Sequence, residues 1–71
     1  MKTVYDIQQF LKSFGTIIYT GDRLADLELM ETELQDLQHS QLMEQRDFEM
    51  ALLILRQEIQ TLKDKQNPTK R

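Results

Sequence analysis

Apolar residues recur at spacings of three and four along most of this chain, and that period constrains the fold more than any other feature. Such spacing is typical of amphipathic α-helices, because 3.6 residues complete one helical turn. Only two glycines and one proline occur among the 71 residues, which leaves little sequence for loops. The pattern therefore predicts an all-α fold with three helices, at about residues 4–14, 22–38 and 44–65.

The first predicted helix has clear signals at both ends. Thr3 and Asp6 have the spacing of a capping box, and Gly15 stands where a left-handed residue would close the helix. Steps of 100° per residue place five apolar side chains on one face. This set is Val4, Ile7, Phe10, Leu11 and Phe14. The short helix is therefore expected to pack through this face onto the rest of the chain.

The second and third helices are expected to form a long antiparallel hairpin, because only about five residues connect them. Leu42, within that connection, is expected to point inward. Residues 1–66 are predicted to make a single helical domain. The basic tail, residues 67–71, follows a proline signal and is expected to fray.

Residues 15–21 join the first two helices and lack a helical period. The β-branched Ile17 and Ile18 favour extended backbone, and no second strand is available to pair with it. We therefore expect an extended crossing segment with both isoleucines in the core. Thr20 and Asp22 are both suitable N-caps for the second helix, and the sequence leaves that choice open.

Composition excludes several kinds of site. No cysteine is present, so disulfides and thiolate metal sites are excluded, and the single histidine, His39, cannot form an imidazole cluster. Ser40 is adjacent to His39, but adjacency does not make a catalytic pair. The acids predicted on the outer side of the second helix indicate a solvated face, because no ion-binding loop accompanies them. These acids are Asp22, Asp26, Glu33 and Asp36.

These observations predict a protein that is not an enzyme, with no catalytic residues, no metal, no cofactor and no small-molecule substrate. No apolar run reaches the ~7–15 residues of a signal peptide core or the ~20 residues of a membrane span. The chain is therefore expected to be cytoplasmic, without a membrane partner.

Charge is unevenly distributed along the chain. The total is −3, but residues 22–61 carry ten acids against three arginines, whereas the segments on either side are net positive. A polyanion would therefore have to approach the ends of the chain.

Tyr5 lies opposite the apolar face of the first helix and is expected to be exposed. A tyrosine beside lysine and amide side chains can stack on an unpaired base while the lysine contacts phosphate. The alternative is an ordinary surface tyrosine that partly covers its neighbours. The candidate nucleic-acid-binding residues are Lys2, Tyr5, Gln9, Lys12 and Arg23.

The third helix is apolar on two sides, and a helix of this kind is either covered on both sides or shared with another chain. The second side consists of Met50, Leu53 and Ile54, and Leu29 of the second helix is a further candidate. Burial beneath the first helix and contact with another protein, including a second copy, both remain open. Protein interaction or oligomerisation through the third helix is therefore the alternative function.

Two segments, YDIQQFL at residues 5–11 and FGTIIYTGDR at residues 14–23, carry a resemblance to the YqgQ family of short bacterial proteins. The similarity extends into the helical second half, through ILRQE at residues 54–58. The resemblance implies a small all-helical fold and no catalytic residue. Single-stranded nucleic-acid binding is the function suggested for that family.

Overall fold

The computed structural model describes residues 1–66, which form three helices. Helix α1 spans Val4–Ser13, α2 spans Arg23–His39 and α3 spans Gln45–Gln66. The short α1 packs against both α2 and α3, and these two longer helices contact each other. The predicted all-α class is confirmed, and each helix end lies within one residue of the predicted position. The basic tail at 67–71 lies outside the described residues.

Local hydrogen bonds define both ends of α1. The Thr3 hydroxyl accepts from the backbone N–H of Asp6, and the Asp6 carboxylate accepts from the backbone N–H of Thr3. At the other end, Gly15 has φ +85° and its N–H donates to the Lys12 carbonyl, while the Thr16 N–H donates to the Leu11 carbonyl. This pair of bonds is a Schellman motif, so the predicted capping box and glycine stop are both confirmed.

Helix α2 begins at an Asp22 N-cap, whose carboxylate accepts from the Leu24 N–H at 3.2 Å. The choice between Thr20 and Asp22 is thus settled in favour of Asp22. The helix ends in a second Schellman motif with Gln41 at φ +61°. There the Gln41 N–H donates to Gln38, and the Leu42 N–H donates to Leu37.

Three side-chain contacts show that α2 and α3 run antiparallel. Arg23 pairs with Glu58 at 3.7 Å, Glu31 with Arg56 at 3.1 Å, and Gln38 with Gln45 at 2.7 Å. Residue numbers rise along α2 while those of the partners fall along α3. Exposed pairs of this kind contribute only about 0–1 kcal/mol each, so the apolar interior supplies more of the stability.

The interior draws on all three helices and on the turn between α2 and α3. Its buried apolar residues are Ile7, Leu11, Leu27, Met30, Leu34, Met43, Ala51 and Leu55. The two members from α1, Ile7 and Leu11, belong to the predicted apolar face of that helix.

Three apolar positions differ from the prediction. Leu42 is exposed and Met43 is buried instead, because the left-handed residue Gln41 turns the chain before either of them. Phe14 lies just beyond α1 and is 42% exposed, with its ring edge-on to Phe10 at 5.1 Å between centroids. Ile17 is 76% exposed, and only its neighbour Ile18 packs against the core.

Candidate nucleic-acid interface

The outer face of α1 carries the predicted binding residues. Ile7 and Leu11 anchor the opposite face in the core. Tyr5, Gln9 and Lys12, at positions i, i+4 and i+7, therefore point away from it and are all exposed, with the Tyr5 side chain 65% accessible. Lys2 is exposed beside the start of the helix. The structure thus brings four of the five predicted residues to one side of α1.

A shallow depression, here called the Tyr5 hollow, lies where the start of α1 meets α3. Lys2, Tyr5, Arg23, Ile54 and Glu58 line it. Arg23 enters this hollow from α2, so it joins two of the predicted residues. Its guanidinium lies 3.7 Å from the Glu58 carboxylate, which offsets part of its charge. The hollow therefore combines an aromatic ring with two cations and one carboxylate.

A second depression, the linker hollow, lies between α1 and residues 16–18. Gln8, Gln9, Lys12, Ile17 and Ile18 are among its lining residues, and Leu11 and Met30 lie at its base. Gln9 and Lys12 thus border a different hollow from Tyr5. The predicted set forms one exposed face with a hollow on each side.

Hydrogen bonds to Asp26 hold the linker in place, although the helical period predicted this acid on the exposed side of α2. Asp26 was expected on the solvated side of α2, but it is buried. Its carboxylate accepts from the Thr20 N–H at 2.8 Å and from the Thr20 hydroxyl at 2.6 Å. These bonds tie the end of the linker to α2. Ile18 then faces the core while Ile17 and Tyr19 face outward.

Asp6 carries the only resolved pKa shift among the described residues. Its carboxylate accepts from the backbone N–H of Lys2 at 2.9 Å, and this bond is the largest cause that lowers its pKa. Desolvation is the second-largest effect and raises the pKa, whereas the two Thr3 hydrogen bonds and the charge of the N-terminus lower it further. The acid on α1 is thus engaged with backbone N–H groups at the helix start.

The second side of α3 is only partly covered. Met50 is 49% exposed and Leu53 is 55% exposed, and Leu29 on α2 is also exposed. Ile54, predicted with them, is half-buried, packs against the core and lines the Tyr5 hollow. The exposed patch on α3 therefore consists of Met50 and Leu53.

Residues 1–66 hold no group of three or more His, Asp or Glu side chains placed to bind a metal ion. None of the three helices in this range combines the length and apolar character needed to cross a bilayer. His39 is the last residue of α2 and Ser40 is its C-cap. That the chain is not an enzyme stays a prediction.

Sequence reasoning missed the linker hollow as a feature. The helical period places Gln8 near Tyr5 on α1. It does not place Ile17, because the position of Ile17 depends on how the non-helical linker folds back over α1. The only local signal for that path is the pair Gly15 and Thr20, whose bonding partners lie in two different helices.

Comparison with known proteins confirms the family resemblance that the sequence segments suggested. Residues 1–61 match the family described as YqgQ-like. The chain is also 41% identical over 64 residues to the uncharacterized protein YqgQ of Bacillus subtilis (strain 168), with 90% of each chain covered. A match across almost the whole length includes both the linker and the helical hairpin. The chain therefore belongs to the YqgQ-like family.

Proposed function

We propose that this protein binds single-stranded nucleic acid weakly, through the outer face of α1. The observation that carries the proposal is the exposed Tyr5 ring, which shares that face with Lys2, Gln9 and Lys12. Aromatic rings with nearby cations are the common elements of sites that bind single strands without sequence preference. Tyr5 supplies the stacking surface, the lysines supply charge and Gln9 supplies hydrogen bonds.

The expected affinity is low. One stacked base contributes about 1–3 kcal/mol, and a few phosphate contacts add a salt-sensitive contribution. The net charge of −3 opposes the approach of a polyanion. These contributions together support binding in the micromolar range or weaker, about −8 kcal/mol at most. Single strands are favoured over duplex, because a lone tyrosine cannot reach the face of a paired base.

The test is a fluorescence anisotropy titration of a short labelled single strand at low salt. Tyr5→Ala should weaken binding by about 5- to 150-fold, the equivalent of one lost stacking contact. Tyr19→Ala is the matched control, because Tyr19 is also exposed but lines neither hollow. Failure of the native protein to bind, or equal affinity of Tyr5→Ala, would refute the proposal.

Variants of the Arg23–Glu58 pair test the electrostatic contribution to binding in the same assay. Glu58→Gln removes a carboxylate from the Tyr5 hollow and leaves Arg23 unopposed, so it should strengthen binding. Arg23→Gln should weaken it. Binding should also fall as salt rises, with a slope of about −0.7 in log affinity against log salt for each phosphate contact on a single strand. Salt-insensitive binding would contradict this role for the cations.

The exposed patch on α3 supports a second candidate function, contact with another protein or with a second copy. Met50 and Leu53 are three positions apart, which makes them neighbours on the helix surface, and both are about half exposed. Sedimentation at micromolar concentration would then show species larger than a monomer. Leu53→Glu should yield a folded monomer. A monomeric native protein would refute self-association.

A further inference from the structure

We propose that the linker hollow is a second base site, which receives one nucleobase of the strand that contacts Tyr5. This inference rests on the proposed function and adds a second site, which shares Gln9 and Lys12 with the outer face of α1. Three groups of side chains meet in this hollow and support the inference. Apolar side chains of α1 and α2 form its base, the linker isoleucines form one wall, and glutamine and lysine side chains form its rim.

The shape and lining suit a flat ring. Leu11 and Met30 at the base are buried, and Ile17 and Ile18 provide aliphatic surface against which a ring can pack. The volume is about 200 Å³. Sites for drug-sized ligands measure about 300–1,000 Å³, so this hollow suits one ring system and is too small for a complete cofactor.

The rim supplies the groups that a nucleotide requires beyond its ring. The side-chain amides of Gln8 and Gln9 both donate and accept hydrogen bonds, which matches the mixed donors and acceptors on base edges. Lys12 supplies a cation for the attached phosphate. Within the described part of the chain, the lining includes no acid, whereas the Tyr5 hollow includes Glu58. Both hollows therefore carry one net positive charge, and in the linker hollow no carboxylate opposes the lysine.

The isoleucine wall is held in place at both ends before any ligand binds. The Thr16 N–H donates to Leu11 at 3.0 Å, and Thr20 makes two hydrogen bonds to Asp26. A wall that is already ordered loses less conformational entropy when a ligand binds. The hydrogen bonds that hold the wall thus lie at its ends and leave the open side of the hollow free for a ligand.

The experiment uses the full chain with ¹³C-labelled isoleucine methyls and an oligodeoxyadenylate of about five nucleotides, a length within the usual range of single-strand sites. Methyl signals of Ile17 and Ile18 should move upfield, because a stacked base ring shields them. Ile17→Ser should weaken binding by about fivefold or more. Ile17 is so exposed that this change should leave the fold intact. Leu42→Ser is the matched control, because Leu42 is an exposed aliphatic residue outside both hollows and outside the patch on α3.

The outcomes separate this inference from the proposed function. One outcome is that the strand binds and perturbs Tyr5, while the isoleucine methyl signals do not move and Ile17→Ser binds with the same affinity as the control. This outcome would refute the linker hollow as a base site and would leave the Tyr5 site supported. Shifted methyls with unaltered binding by Tyr5→Ala would support the hollow and refute the Tyr5 site. No binding at low salt would overturn both.

Discussion

Two residues with left-handed backbone close α1 and α2 in the same way, but only one of them is glycine. Gly15 has φ +85° and Gln41 has φ +61°, and each occupies the same position of a Schellman motif. A side chain costs about 1–2 kcal/mol in this conformation, whereas glycine adopts it without strain. The turn after α2 therefore carries backbone strain that the turn after α1 avoids.

Gln41→Gly should stabilise the protein by up to about 1 kcal/mol, since relief of the strain exceeds the added flexibility of the unfolded chain. For a domain of this size, such a gain corresponds to a rise of about 4–8 °C in Tm. Gly15→Ala is the converse control and should lower Tm. An added Cβ at Gly15 meets no atom within 4 Å, so any loss reports on the backbone alone. An unchanged or lower Tm for Gln41→Gly would contradict the assignment.

Asp6 should make the stability of the fold sensitive to acid. Its pKa in the folded chain is lowered by hydrogen bonds to the Lys2 and Thr3 N–H groups. The unfolded value is near 3.9, so the contribution is complete above about pH 4 and is lost as pH falls through the lower folded value.

Asp6→Asn keeps an acceptor oxygen but removes this titration. The difference in unfolding free energy between the native protein and Asp6→Asn should therefore be constant near neutral pH and shrink below about pH 4. Denaturant titrations at several pH values measure it. A difference that stays constant down to pH 2 would show that the carboxylate is not engaged at the start of α1.

At the scale of elements, the linker depends on one interaction with α2. Asp26→Ala would remove the acceptor of the Thr20 N–H and leave the Thr20 hydroxyl only its 3.4 Å bond to the Asp22 carbonyl, at a cost of about 1–3 kcal/mol, and would loosen the wall of the linker hollow. Asp36→Ala is the control, because Asp36 is an exposed acid on the same helix. Thermal melts and hydrogen exchange at the Thr20 amide provide the readouts. Equal melts and unchanged exchange for the two variants would contradict the role of Asp26.

The elements themselves were predictable because helical period and end signals are local. The 100° step identifies the stripe of Ile7 and Leu11, and Thr3, Asp6 and Gly15 mark both ends of α1. The linker lacks a period, so its sequence does not specify which isoleucine faces inward. Asp26 precedes the buried Leu27 on α2, and its own burial follows only from the linker folding back onto it.

Part of the candidate site was predictable from local sequence, and part was not. The exposed face with Tyr5 and Lys12 follows from the helical step within α1. Arg23 and Glu58 meet beneath the start of α1 only because the hairpin brings distant segments together. No local pattern distinguishes Ile54, which packs against the core, from Leu53, which stays exposed.

Across the whole molecule, the surface separates into regions of different charge. Residues 1–21 hold two lysines and one acid, and that acid, Asp6, bonds to the backbone at the start of α1. Six acids and one arginine belong to residues 22–38, which include most of α2. A polyanion is therefore expected to approach α1 and to avoid the outer side of α2.

Mapping backbone amide shifts across residues 1–66 during titration with a short single strand tests this account most directly. Binding through the outer face of α1 predicts perturbations concentrated in α1, the linker, the start of α2 around Arg23 and the part of α3 at Ile54 and Glu58 that lines the Tyr5 hollow, with a loss of the effect as salt rises. The amide of Met50 should remain unmoved. Perturbations centred on Met50 and Leu53, or none at low salt, would contradict binding through the outer face of α1.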